Sequence, residues 1–156
     1  MQRKNDHLDL AMDAGQLANE ENWWQQVLVV HQSLPEMALT DVDLTSRRPD
    51  GSQGLPLMVL GMTGGTREAA RINLGLAAVC QKLGLPLGLG SMRPLLVDPE
   101  APGYQLKSAC PQLILYGNIG ATQLVQEQGD SFGRLLAWAE DLALMHSVYT
   151  LIQPRN

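Results

Sequence analysis

The chain has 156 residues, of which 45% are hydrophobic and 17% charged, and its formal net charge is −5. That length suits one ordinary domain, able to bury roughly 70% of its unfolded surface, and the composition excludes a disordered polypeptide. The acidic balance excludes a nucleic-acid protein, since no basic face can neutralise phosphates, and no apolar run approaches the length of a membrane span.

The N-terminus carries the charged segment Arg3-Lys4-Asn5-Asp6-His7 rather than an apolar signal core, so a cytoplasmic protein is expected. A helix follows from about Leu8 to Asn19, with Leu8, Leu10, Met12, Ala14 and Leu17 at helical spacing. Trp23 and Trp24 read as packing residues, and Val27 to Val30 is a short apolar stretch. Residues 46–54 are a loop by composition, with Arg47-Arg48 solvated. Residues 1–55 therefore form an N-terminal segment ahead of the first strong strand.

That strand is Leu57-Met58-Val59-Leu60, bounded by Pro56 and by Gly61. It runs through Met62-Thr63 into Gly64-Gly65, where a chain without β-carbons can turn sharply and admit a ligand to the backbone. A helix is expected directly afterwards, from Arg67 to Lys82, so backbone N–H groups at the corner favour an anionic or electron-rich ligand. Further apolar strand candidates start near Leu85, Leu113 and Leu142, at intervals of 28, 28 and 29 residues from Leu57. Strands at this spacing with helical crossovers indicate repeated βα units and a parallel sheet. The crossover at Pro99–Ala109 is the weakest, because Pro99, Pro102 and Pro111 crowd it. The last gap offers Ala121–Gln128 and Ser131–Glu140.

Polar and glycine-rich residues follow the strands at one end, as at the C-terminal face of a TIM barrel. The expected fold is therefore α/β, a partial TIM (β/α)8 barrel of about four βα units. Residues 56–156 make the first half of that barrel within a single incomplete domain. An open doubly wound sheet also gathers ligands at strand C-termini and is the structural alternative.

Gly88-Leu89-Gly90-Ser91-Met92-Arg93 is not a dinucleotide fingerprint, because Arg93 replaces the third glycine and Pro94 follows at once. Ser91 instead offers a hydroxyl, and Arg93 a planar charged fork for a pair of phosphate oxygens. Asn118, between Gly117 and Gly120, can donate and accept at the edge of a heteroaromatic ring, or simply tolerate a turn. His146 closes the fourth apolar run, where its imidazole can bond a phosphate or sit satisfied in the core. Arg3, Lys4 and His7 form a cationic cluster able to close over an anion. His31 has no evident role. Cys80 and Cys110 lack CxxC spacing and read as buried thiols. No Walker loop, HExxH, GxSxG or metal-spaced Cys/His set is present in the sequence.

Six ordered pieces extend over nearly the whole chain. They are Arg3-Lys4-x-x-His7, Asp41-Val42-Asp43-Leu44, Met62-Thr63-Gly64-Gly65, Asn73-Leu74, Leu89-Gly90-Ser91-Met92-Arg93 with Asp98-Pro99-Glu100, and Gly117-Asn118-Ile119-Gly120-Ala121. Together they resemble the N-terminal part of the flavin-dependent, type 2 isopentenyl diphosphate isomerases. The resemblance implies a TIM barrel of isoprenoid biosynthesis that interconverts isopentenyl and dimethylallyl diphosphate, using FMN, NADPH and magnesium. It implies that Gly61, Met62, Thr63 and Gly64 line the flavin, with Ser91 and Asn118 helping to hold it. It also implies that Arg3, Lys4, His7, Arg93 and His146 bind the diphosphate side of the substrate. No catalytic residue is assigned. Leu151 and Ile152 stand about where the family carries a glutamine and a glutamate, so no metal ligand is identified. Two alternatives stand beside this reading: a truncated, non-catalytic flavin- or phosphate-binding remnant, and another FMN-dependent TIM-barrel oxidoreductase. An open half-barrel leaves strand edges unpaired, so a homo-oligomer is expected.

Overall fold

The organising helix is α2, Arg67–Leu83, one residue longer than its sequence pattern predicts. Thr66 caps it, with an extended backbone and a side-chain oxygen that accepts from the Ala69 N–H at 3.1 Å. It stops at Gly84, whose left-handed φ of 64° lets its N–H return to the last carbonyls. Its buried residues are Ala69, Asn73, Ala77 and Cys80. Three of these are small, so the helix lies close to what it covers. Burial also pushes the Cys80 thiol up from its ordinary range.

A computed structural model describes residues 2–13, 23–48, 51–120, 133, 134, 137 and 146–150. In chain order they form α1 (Gln2–Met12), a hairpin of β1 (Ser46–Arg47) and β2 (Gln53–Gly54), α2, then β3 (Leu87–Gly88), β4 (Leu115–Gly120) and β5 (His146–Thr150). Short 3-10 turns occupy Trp23–Gln26, Leu39–Asp41, Arg93–Leu96 and Leu106–Ser108. None of the described helices is long and apolar enough to cross a membrane.

β3, β4 and β5 make a parallel sheet in sequence order, with Leu87 opposite Leu115 and Tyr116 opposite His146. The first apolar run adds one parallel bridge, Val59 to Leu87. β4 is buried along nearly its whole length, as a central parallel strand must be. The core gathers Leu87, Leu89, Met92, Leu95, Tyr104, Leu113, Leu115 and Ile119 against Ala77 and Cys80 of α2.

The expected partial barrel is corrected: the described residues hold an open three-stranded parallel sheet and no barrel, with α2 as the one crossover helix described along its whole length and residues 133, 134 and 137 also helical. The crossover from β3 to β4 consists of 3-10 turns, because its prolines interrupt helical hydrogen bonding. Leu57 and Leu60 remain exposed beside the single bridge, so the first run does not complete a strand. The expected helices at 121–128 and 131–140 lie largely outside the described residues. The N-terminal helix is α1 and starts earlier than its pattern predicts; residues 14–22 lie outside the description.

The region expected to be a loop, 46–54, holds a hairpin of two-residue strands, and Arg48 is not merely solvated. Its guanidinium donates to the Ser52 hydroxyl at 3.3 Å, the Gln53 carbonyl at 3.2 Å and the Gly84 carbonyl at 3.0 Å. The last bond sets a cation at the C-terminus of α2, where the helix dipole favours one.

Candidate functional site

Backbone hydrogen bonds tie the segment after the first run to the end of β3, and the loop after β3 to Asn118, which lies within β4 opposite Val148 rather than past the strand. Gly90 N–H donates to the Thr63 carbonyl at 3.0 Å, and Met92 N–H donates to the Asn118 carbonyl at 2.8 Å. Met62-Thr63, Ser91 and Asn118 are thereby successive neighbours along a single rim. Met62 is exposed, while Ser91 and Asn118 are half-buried. Arg93 opens the 3-10 turn that follows β3, exposed, and its guanidinium pairs with no described residue. The Ser91 hydroxyl accepts from the Arg93 N–H at 3.4 Å, a long contact.

The glycines of this rim serve chain packing. A β-carbon on Gly61 would lie 1.9 Å from the Leu89 carbonyl oxygen, and one on Gly90 2.5 Å from that of Thr63. At Gly64 it would meet the Tyr104 ring and hydroxyl at 2.6–2.9 Å. The space sequence reasoning reserved for a ligand is filled by protein on the side where each β-carbon would point. The β-carbon side of these glycines is therefore a packing face.

Two residues carry the rim from beneath, and sequence reasoning gave neither a role. Asn73 of α2 donates from Nδ2 to the Thr63 carbonyl at 3.1 Å and the Gly103 carbonyl at 2.9 Å, and accepts from the Thr63 hydroxyl. Tyr104 donates its hydroxyl to the Ser91 carbonyl at 2.6 Å. Burial pushes that phenol well above its ordinary range. A signal existed for Asn73: it is the one amide on the stripe Ala69, Asn73, Ala77, Cys80, where an amide must be satisfied. Tyr104 offered none.

The cationic residues are dispersed over the chain. His146 is the first described residue of β5, and its register partner is Tyr116, two positions before Asn118. It therefore sits roughly 7 Å back along the strand from the level of Asn118. Arg3, Lys4 and His7 are on α1, and their side chains, like that of His146, lie outside the described part. The acidic pair Asp41 and Asp43 makes local turns, accepting from the Ala38 and Thr45 N–H groups at 2.9 and 2.8 Å. The bonds from Thr45 hold the Asp43 carboxyl below its usual range. Among the described residues no group of three His, Cys, Asp or Glu could hold a metal ion.

No family model matches the chain. Curated relatives do. The chain is similar to proteins named isopentenyl-diphosphate delta-isomerase. That of Thermococcus onnurineus is 34% identical over 135 residues, covering 84% of this chain and 36% of the relative. That of Rickettsia bellii is 35% identical over 125 residues, covering 80% and 36%. That of Cronobacter sakazakii is 38% identical over 136 residues, covering 85% and 39%. The chain thus spans little more than a third of the length of these relatives. These names correct the narrower resemblance: they specify neither a type nor a flavin, and the described sheet is not a barrel. The assignment to the flavin-dependent type 2 isomerases is therefore withdrawn.

Proposed function

We propose that this chain belongs to an isopentenyl-diphosphate isomerase and contributes a rim that receives the diphosphate substrate. The observation that carries the reading is the pair of backbone bonds, Gly90 to Thr63 and Met92 to Asn118, which aligns Met62, Ser91, Arg93 and Asn118 at one sheet end. The relatives' printed name supports the substrate class. Moving a double bond requires one proton added and another removed, while the charged end of the substrate stays fixed. On this reading Arg93 supplies the fixed positive charge, its planar fork matching a pair of phosphate oxygens. Ser91 and Asn118 add neutral donors beside it, and the exposed Met62 offers an apolar surface to the hydrocarbon tail.

Arg3, Lys4, His7 and His146 remain proposed as further diphosphate contacts, and Gly61, Met62, Thr63, Gly64, Ser91 and Asn118 as cofactor contacts. FMN, NADPH and Mg2+ stand as proposed cofactors, each to be read by the mixtures below. A cytoplasmic location, the division at residues 55 and 56, and self-association through exposed apolar residues such as Leu57 and Leu60 belong to the same proposal.

The test incubates the purified chain with isopentenyl diphosphate, alone and with FMN, NADPH and Mg2+, and follows the alkene protons by NMR. Appearance of the shifted double bond supports the isomerase reading. No shift in any mixture refutes that activity for this polypeptide. A visible spectrum of the FMN-treated, desalted protein reads cofactor retention separately.

A further inference from the structure

The geometry points to Tyr104 as a positioning residue, which with Asn73 forms a brace that sets the spacing between the Met62–Gly64 loop and the Ser91–Arg93 loop. This rests on the diphosphate-binding reading for its functional consequence, though not for its geometry. Tyr104 is wholly buried, and its ring lies against Gly64, where even an added β-carbon would come within 2.6 Å of the hydroxyl. That same hydroxyl reaches across to the Ser91 carbonyl at 2.6 Å. One side chain therefore touches both loops that carry the proposed ligand groups.

Asn73 completes the connection from the helix. Only 4% exposed, it holds the Thr63 carbonyl and hydroxyl on one side and the Gly103 carbonyl, next to Tyr104, on the other. Gly65 N–H adds a bond to the Pro102 carbonyl at 2.9 Å. Gly103 itself takes a φ of 93°, and a β-carbon there would press to 3.1 Å of the Ala70 Cα. The segment before Tyr104 is thus pinned against α2 while its ring and hydroxyl support the rim.

The hydroxyl separates positioning from filling. A phenylalanine occupies the same volume, so packing against Gly64 persists in Tyr104→Phe while the Ser91 carbonyl loses its donor. Released, that peptide is free to rotate, and Ser91 and Arg93 move with it.

The experiment measures amide hydrogen exchange and isopentenyl diphosphate affinity for wild type, Tyr104→Phe and Ala77→Gly. The last is a control that weakens the fold through helix propensity, away from the rim. In Tyr104→Phe the amides of Gly90 and Met92 are expected to exchange faster relative to Leu87 and Leu113, by about fivefold for one lost hydrogen bond. The dissociation constant is expected to rise by a similar factor. Ala77→Gly is expected to shift all four amides together without a selective loss of affinity. Exchange in Tyr104→Phe that is unchanged, or that rises uniformly as in the control, overturns the brace. Failure of the wild type to bind isopentenyl diphosphate would sink the functional reading instead, with the exchange pattern still deciding the brace.

Discussion

Val27-Leu28-Val29-Val30 and Leu113-Ile114-Leu115-Tyr116 are both apolar runs of four, and they meet opposite environments. All four residues of the first are exposed, Val29 at 89%. In the second, Leu113, Leu115 and Tyr116 are buried, Leu115 completely. The difference lies in what pairs with the backbone. The second run enters β4, flanked by β3 and β5 and covered by α2. The first follows the 3-10 turn at Trp23–Gln26 and joins no strand. An apolar run becomes core only when its N–H and C=O groups also have partners, since burying them unpaired costs more than the side chains return.

Truncating each run should expose the contrast most strongly. Leu115→Ala should cost about 2–5 kcal/mol, because the cavity it leaves is walled by core on every side. Val29→Ala should stay within about 0.5 kcal/mol of wild type. Urea denaturation of both variants measures this, and equal losses would mean that the first run is buried in solution.

A second pair tests the close approaches within the packed region. Gly61→Ala forces a β-carbon onto the Leu89 carbonyl and should destabilise by about 3 kcal/mol. Gly75→Ala, in α2 with open space around it, should stabilise by about 1 kcal/mol. Opposite signs for the same chemical change, read from thermal melts, are the expected outcome.

A further contrast appears in alkali. Burial raises the Tyr104 phenol, so the folded chain keeps a proton that the unfolded chain begins to lose near pH 10. Stability present below that pH is then lost as pH rises, at up to about 1.4 kcal/mol per pH unit. Tyr104→Phe should remove that slope, and unfolding curves between pH 9 and 11 would sharpen the assignment.

Much of this was legible in residue patterns. Thr66, Glu68, Lys82 and Gly84 mark both ends of α2, and glycine-rich ends mark the strands, because capping and turns are local. Barrel closure was not legible. Nor was the extent of pairing: within the first run Val59 alone bridges to β3, a long-range outcome that periodicity does not carry. The packing around the glycines was hidden for a related reason. Sequence shows that Gly61 and Gly64 need room on one side, but not that Leu89 and Tyr104 fill it.

Arg93 and its rim are proposed to hold the charged end of isopentenyl diphosphate. Calorimetric titration of that ligand into wild type and Arg93→Ala at low salt tests it most directly. The wild type should bind, and loss of a charge-assisted hydrogen bond should weaken the variant by about tenfold or more. Equal affinity in the two proteins would contradict the account.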